Sequence, residues 1–330
     1  MNFLILSAGR RTRLVEYFVR EFDGFGNIIA TDCDPLAPAI YVANKGYIVP
    51  RIDDLNYIKS IVEICKKENI KGLISLIDPE LSLISKNEKV FRDMGIKCFL
   101  SKYEVNEICF NKYRMFEFLE KNSFKTAKSF IDFNEFKEAY KNEEIKLPVF
   151  VKPVFGSASI NINKVNTFEE VEFLMNKYKG LMIQEFLDGK ELGVDVYTDM
   201  LTGEVVSIFA KEKIRMRSGE TDKSKSIKCD KLFETIENFI IKLQTKGPID
   251  IDVFDINGEY YISEVNPRFG GGHPHAYECG ENFIKFIKNN LIDKQNIKNI
   301  GKYEENIYML KHDTLTILNQ NSINKNYKKI

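Results

Sequence analysis

Charge of one sign is missing from this 330-residue chain: 48 lysines and arginines meet 48 aspartates and glutamates, for a formal net charge of zero. Without a one-signed field, nucleic acid is not favoured as a partner. No apolar run approaches membrane-crossing length, and charges follow directly after Met1–Leu6, so the start does not read as a secretory signal. A cytoplasmic protein is expected, with neither a membrane nor nucleic acid as partner. The six cysteines, Cys33, Cys65, Cys98, Cys109, Cys229 and Cys279, contain no C-x-x-C pair. This argues against a zinc ribbon or a redox pair and for reduced thiols. Histidine is scarce, and His273 and His275 flank Pro274 with only His312 beyond; a structural or substrate-side role is expected for them rather than metal ligation. No Ser-His-Asp or Cys-His arrangement and no internal repeat is legible. The first loop, Ser7-Ala8-Gly9-Arg10-Arg11, has a single glycine, where a dinucleotide fingerprint uses G-x-G-x-x-G, so an NAD-type site is excluded.

What is present reads as an ordinary globular composition, 44% apolar and 29% charged. The length exceeds what one core usually serves, so two or three subdomains are expected. In the first hundred residues, strand-like runs at Asn2–Ser7, Ile28–Thr31, Tyr47–Val49 and Gly72–Ile77 alternate with helical patterns at Thr12–Phe22, Leu55–Glu68 and Glu80–Phe91. This βαβ series implies an α/β domain over residues 1–100, with a parallel sheet and helices on both faces. Ligands in such sheets bind at the carboxyl ends of the strands, where residues 7–11, Asp32-Cys33-Asp34 and Asp78-Pro79-Glu80 fall. Arg10, Arg11 and Arg13 stand at a helix start that could hold an anion, or form a solvated basic end. Asp32 and Asp34 ahead of Pro35 read as turn formers. Beyond Ser101 strands and helices segregate, which is α+β packing; we divide this part at residues 101–180 and 181–330, and expect the Asn- and Lys-rich end, Asn319–Ile330, to fray.

The most informative stretch is Tyr261 to Gly272. Tyr261–Ser263 reads as a strand that Pro267 ends, and alternation puts Glu264 and Asn266 on one face. An Asn257-Gly258 turn would fold this strand back on Ile249–Phe254, bringing Asp252 near both. Two carboxylates and an amide oxygen suit Mg²⁺, and Arg268 adds a fixed positive charge beside phosphates. Asp255 competes with Asp252 as the ligand, and an exposed hairpin with a wet polar face is the competing reading. The small loop Gly156-Ser157-Ala158-Ser159 can bring backbone N–H groups close to phosphates, with Lys152 beside it, or can be a plain hairpin turn. Gln184-Glu185-Phe186-Leu187 ends a buried strand whose free backbone groups could pair with an adenine edge, and Glu191 could accept from ribose hydroxyls. Arg215 and Arg217, in the charged run Lys211–Glu220, would neutralise a substrate carboxylate or simply be solvated.

Asn111-Lys112, Val151-Lys152-Pro153, Gly156–Ser159, Gln184–Leu187 with Glu191, and Glu264-Val265-Asn266-Pro267-Arg268 occur in the order of the ATP-grasp superfamily. The chain resembles that superfamily, and closely its carbamoyl-phosphate-synthase-like branch. The loop at residues 7–11 and Thr31–Pro35 resemble the small domain that precedes the grasp there. The resemblance implies a parallel-sheet pre-ATP-grasp domain followed by a two-subdomain ATP-grasp fold. It implies that Lys112 and Lys152 contact ATP phosphates, that Gly156, Ser157 and Ser159 belong to a mobile lid, and that Glu185, Phe186 and Leu187 meet adenine with Glu191 on ribose. Asp252, Glu264 and Asn266 would hold two Mg²⁺ ions, or Mn²⁺ in their place. Arg268, with Lys112 and Lys152, would act on the transferring phosphoryl group. Arg10, Arg11, Asp78, Glu80, Arg215 and Arg217 would lie on the substrate side. Ala158 and Asn161 replace glycines common in relatives, so lid geometry is expected to differ. The implied chemistry is ATP-dependent ligation of a small carboxylate to an amine, or to a thiol, through an acyl phosphate. Carbamate or bicarbonate phosphorylation ranks lower, because the full synthase joins two grasp units. A non-catalytic nucleotide-binding regulator is disfavoured by the intact Glu264, Asn266 and Arg268. Small-molecule substrates are the expected partners, with a homodimer as the assembly considered.

Overall fold

The computed structural model describes residues 1–156, 162–321, 323 and 328–329. Its first part is β1 (Asn2–Leu6), α1 (Thr12–Phe22), β2 (Ile28–Asp32), α2 (Ala39–Val42), β3 (Lys45–Ile48), α3 (Tyr57–Lys67), β4 (Ile70–Ser75), α4 (Asp78–Lys86), α5 (Glu88–Asp93) and β5 (Lys97–Cys98). The strands pair in parallel in the order β3-β2-β1-β4-β5. Their near-continuous apolar character follows from burial on both faces. Phe3 and Ile5 meet Phe18 and Phe22 of α1, while Leu4 and Leu6 meet Ile61 and Ile64 of α3, Leu81 of α4 and Phe91 of α5. The parallel sheet with helices on both faces is as the βαβ pattern predicts.

The second part is α6 (Tyr103–Phe110), α7 (Lys112–Lys121), β6 (Ser129–Phe130), α8 (Phe133–Lys141), β7 (Val149–Pro153), β8 (Asn163–Val165), α9 (Phe168–Lys177) and β9 (Leu181–Glu185). Its sheet, in the order β6-β9-β7-β8, is antiparallel and buries Val149, Val151 and Ile183 against Phe136 of α8 and Val171 of α9. Helix α8, which the sequence reading does not anticipate, starts at Asp132, whose side chain accepts from the N–H groups of Asn134 and Glu135. Asn111 caps α7 in the same way, at 3.1 and 3.0 Å from the N–H groups of Tyr113 and Arg114. The Lys112 N–H donates to Val154 O at 3.0 Å, so the first helical residue of α7 is tied to the end of β7.

The third part is β10 (Lys190–Thr198), β11 (Val205–Arg217), β12 (Glu220–Ile227), α10 (Asp230–Leu243), β13 (Gly247–Ile256), β14 (Glu259–Asn266), α11 (His273–Glu278), α12 (Phe283–Leu291), β15 (Tyr308–Leu310) and β16 (Lys328–Lys329). An antiparallel sheet runs β14-β13-β10-β11-β12-β15. One face presents Val194, Val196, Ile208, Ile249, Ile251, Val253 and Ile262 to Ile236, Phe239 and Ile240 of α10 and to Met115 and Leu119 of α7. The intervening residues therefore point to the opposite face. Helix α12 leaves this sheet and packs on the N-terminal one, where Phe283, Ile284 and Ile287 join the core of Phe3 and Phe18. Strand β16 pairs in parallel with β3 at Tyr47 and Ile48, where the sequence reading expects a frayed end. Among the described residues no helix is long and apolar enough to cross a membrane.

Candidate functional site

The β13–β14 hairpin turns at Asn257 and Gly258, with φ of 54° and 79°, the left-handed pair that a two-residue hairpin loop requires. Asp255 Oδ1 accepts from the Gly258 N–H at 2.8 Å. Asp255 therefore braces the turn, and Asp252 is the residue that stands opposite Glu264, with Asp250 opposite Asn266. The register shifts between Asp252 and Val253, whose partners are Glu264 and Ile262. The extra residue, Ser263, lets Ile262 enter the core while Glu264 faces away from it, which strict alternation along the strand would not allow. On the next strand Gly193 aligns with Asp252 and with Lys211. A Cβ at Gly193 would lie 3.1 Å from Lys211 Cε and 3.2 Å from Lys213 Cε, so glycine leaves room for two lysine stems.

The cations of this face are distributed among the acids. Lys213 Nζ lies 2.5 Å from Asp252 Oδ1 and 2.9 Å from Glu191 Oε1. Burial opposes its charge, but Asp252 and Glu191 outweigh burial and raise its pKa. Lys112 Nζ is 3.9 Å from Glu264 Oε1 and also donates to Gly156 O. Lys152 Nζ donates to Gln184 Oε1 at 2.5 Å. Burial lowers Lys152 to about 8, the charge of Lys112 adds to this, and Glu264 and Asp252 act in the other direction. Deeper in the sheet, Lys211 pairs with Asp195. Asp250 is pushed up to about 6 by burial and then by the charges of Asp252 and Asp195.

At the end of β9, the Glu185 N–H donates to Lys128 O at 2.8 Å, and Glu185 Oε2 accepts from the Lys128 N–H at 3.0 Å. Glu185 thus already holds β9 to the chain before β6. The Phe186 ring lies 3.8 Å from Lys164 Nζ, measured to the ring centroid, and Leu187 is buried.

Arg268 closes the hairpin's open end. Its Nη2 donates to Asp78 Oδ2 at 2.9 Å and to Asn266 Oδ1 at 3.1 Å, and Asp250 Oδ2 lies 4.0 Å from Nη1. Its Nε and the Oδ1 of Asp78 are buried without a hydrogen-bond partner. Asp78 starts α4 just beyond the carboxyl end of β4, an inner strand of the N-terminal sheet, so both parts of the molecule build this corner. Arg11 Nη1 donates to Phe269 O at 2.5 Å, and burial, followed by the charge of Arg268, lowers it to about 10. The loop after Arg268 must pass close to Asp250: a Cβ at Gly270 would sit 2.3 Å from Asp250 Oδ1.

Other sequence candidates stand elsewhere. Glu80 is fully buried and accepts from Ser7 Oγ at 3.0 Å and from the hydroxyls of Tyr57 and Ser75. It braces the loop after β1 from beneath. Arg10 is exposed. Arg215 and Arg217 lie 3.9 and 3.7 Å from Asp222 on the outer β11–β12 hairpin, and Arg217 also pairs with Asp313. Asp32 accepts from the N–H groups of Gly9 and Asp34 at 2.7 and 2.9 Å, as a turn former does. Ser157, Ala158, Ser159 and Asn161 lie outside the described residues. His275 sits between Ser224 Oγ at 2.8 Å and Ile307 O at 3.1 Å, and His273 is fully buried 3.4 Å from Asp195 Oδ1. Neither histidine is near a second histidine or cysteine in a metal-holding group, and among the described residues no group of three or more His, Cys, Asp or Glu is placed to hold a metal. Asp252, Glu264 and Asn266 offer two carboxylates and an amide oxygen on one sheet face, a donor set suited to a hard cation that takes one or two carboxylates and completes its shell with phosphate oxygens and water, as Mg²⁺ does.

Sequence reasoning missed Lys213, Lys211, Asp195 and Asp250. Asp250 shared the period-2 signal with Asp252. Lys211 and Lys213 carried the same signal but sat in a run that reads as a solvated charge stretch.

The family described as PylC-like, N-terminal domain, matches residues 3–99, and that described as ATP-grasp domain matches residues 109–272. The carbamoyl phosphate synthase large chain of Clostridium botulinum is 23% identical over 301 residues, covering 85% of this chain but 26% of its own length. The chain thus spans about a quarter of that relative. The biotin carboxylase domain of Hydrogenobacter thermophilus 2-oxoglutarate carboxylase, solved as a dimer with MgADP, ADP and bicarbonate, superposes with a TM-score of 0.73 at 17% identity, covering 93% of this chain and 73% of that one. N5-carboxyaminoimidazole synthetase from Staphylococcus aureus superposes with a TM-score of 0.71 at 16% identity, covering 91% and 78%.

Proposed function

We propose that this chain, which belongs to the ATP-grasp superfamily of ligases, joins a small carboxylate to an amine at the expense of ATP, forming an acyl phosphate and releasing ADP and phosphate. The observation that carries the reading is one sheet face that holds Asp252, Glu264 across from it and Asn266, ringed by Lys112, Lys213 and Arg268 with Lys152 beside it. In the first step a substrate carboxylate oxygen attacks the γ-phosphorus of ATP and ADP leaves. In the second an amine attacks the acyl carbon, gives up a proton as the C–N bond forms, and phosphate leaves. A bound Mg²⁺ would neutralise phosphate charge and would be held by Asp252, Glu264 and Asn266. Lys112 and Lys152 offset charge on the nucleotide's phosphates, and Arg268 faces the group in transfer, with Asp78 and Asn266 fixing its plane. Glu185, Phe186 and Leu187 are proposed to meet adenine and Glu191 to accept from ribose. Arg11 and Asp78 are proposed to wall the acid's side of the pocket, with Arg10 at its rim.

No side-chain nucleophile is needed, because ATP supplies the leaving group. Carbamate or bicarbonate phosphorylation is the second reading, favoured by the similarity to the carbamoyl phosphate synthase large chain. A cytoplasmic location is proposed, and a homodimer follows the dimeric biotin carboxylase domain; light scattering tests the latter. Phosphate release with ATP, Mg²⁺ and panels of acids and amines tests the activity. Turnover is expected to need one acid and one amine together. Release that depends on bicarbonate and no amine would favour the second reading, and ATP binding with no turnover in any mixture would sink both.

A further inference from the structure

Strand β11 brings Lys213 across from the two acids to which the nucleotide-site reading gives different tasks. Its ammonium lies 2.5 Å from Asp252 Oδ1, the proposed metal ligand, and 2.9 Å from Glu191 Oε1, the proposed ribose acceptor. The Lys213 side chain is 4% exposed, while those of Asp252 and Glu191 are 24% and 33% exposed. The lysine therefore holds the two carboxylates from beneath while they remain reachable from solvent. The other proposed metal-ligand oxygens are held more loosely, Asn266 Oδ1 by Arg268 at 3.1 Å and Glu264 Oε1 by Lys112 at 3.9 Å. Asp252 is the most tightly neutralised oxygen of the three.

Resting on the nucleotide-site reading, we propose that Lys213 is a positioning residue that neutralises Asp252 and Glu191 in the nucleotide-free protein and makes metal binding depend on the nucleotide. A carboxylate oxygen that already carries an ammonium is a poorer ligand, and a divalent ion approaching it meets a like charge that cannot retreat into water. Nucleotide phosphates bring the negative charge that offsets both cations at once. Metal and nucleotide then bind with positive coupling, and Lys213 is the group that sets its size. The Glu191 contact adds a second effect: with its partner gone, Glu191 is no longer held toward the pocket, and nucleotide affinity falls.

Titration of Mn²⁺ into the full chain, followed by the electron spin resonance of free Mn²⁺ and by melting temperature, with and without ADP, tests this. Lys213→Met and Lys213→Gln are expected to bind Mn²⁺ without nucleotide at least about tenfold more tightly than wild type, while binding ADP with Mn²⁺ less tightly, a change within the usual range of such couplings. Mn²⁺ alone should raise the melting temperature of both variants more than that of wild type. Lys213→Arg keeps the charge and should stay near wild type. Mn²⁺ affinity that is unchanged or weaker in Lys213→Met and Lys213→Gln overturns the proposal, as does loss of the fold in both, which would make Lys213 architectural. A wild-type protein that binds neither MgADP nor MgATP would instead sink the nucleotide reading itself, so the two failures are distinguishable.

Discussion

At the scale of single residues the site is a set of charges that hold one another in place. Arg268 shows why this matters for experiments. Its guanidinium is buried and spans Asp78, Asn266 and the Phe269 carbonyl, so it has a structural part beside the chemical one proposed for it. Arg268→Ala should lower kcat by roughly a hundredfold to a thousandfold, with ATP affinity largely kept, if it acts mainly on the transferring group. Arg268→Lys should recover only part, since lysine lacks the planar fork that meets Asp78 and Asn266 together. Unchanged kcat with a large fall in melting temperature would assign Arg268 to architecture. His275 illustrates a purely structural charge effect. Burial, and then the nearby Lys211, lower it from 6.5 to about 4. Its folded value lies below its unfolded one, so its contribution to stability is present above pH 6.5 and is lost as pH falls toward about 4. Denaturant unfolding across that window should show wild type losing more stability on acidification than His275→Gln, whose amide does not titrate. Parallel pH profiles for the two proteins would contradict this.

Among elements, the β13–β14 hairpin presents the proposed metal ligands, and its bulge sets their facing. Ser263 is the extra residue that sends Ile262 to the core and Glu264 to the site. Deleting Ser263 makes Ile262 and Glu264 neighbours on the strand, so plain alternation should still send Ile262 to the core and Glu264 to the opposite face, with Asp252 still across from Glu264. We expect the deletion variant to keep the melting-temperature rise that MgATP gives wild type, which differential scanning fluorimetry would read. A deletion variant that folds but loses the MgATP stabilisation would show that the bulge itself, and not only the facing of Glu264, shapes the site. Much of this hairpin was legible in the sequence: Asn257-Gly258 set the turn, and period two put Glu264 and Asn266 on one face, near Asp252. The bulge was not legible, because an inserted residue is visible only against its partner strand. Lys213 was hidden for a related reason. A lysine in a charged run looks solvated until a glycine on the neighbouring strand, here Gly193, is seen to make space for its stem.

The whole molecule is joined by a connection that no local pattern announces. Helix α12 lies late in the chain, yet it packs beside α1 on the N-terminal sheet, so the sequence boundaries at residues 100 and 180 miss a covalent return to the first core. Asn290 at the end of that helix ties it to the central sheet. Its Oδ1 accepts from Tyr197 Oη at 2.9 Å and from the Met200 N–H at 3.1 Å, and its Nδ2 donates to Asp199 Oδ2 at 2.8 Å. The residue is fully buried, so every one of these partners loses a bond with no water to replace it if the amide is removed. Asn290→Ala should therefore destabilise the fold by about 2 kcal/mol or more, since each stranded buried group costs roughly 1–3 kcal/mol. No proposed ATP ligand touches Asn290, so MgATP affinity at low temperature should remain close to that of wild type. Calorimetry distinguishes two ways of failing. If α12 is the clamp between the N-terminal and central sheets, loosening it should lower the main transition and split or broaden it, because the two cores no longer unfold as one. A lower but equally sharp single transition would mean that the sheets are held together chiefly through the corner of Arg268 and Asp78, and that Asn290 contributes only local stability.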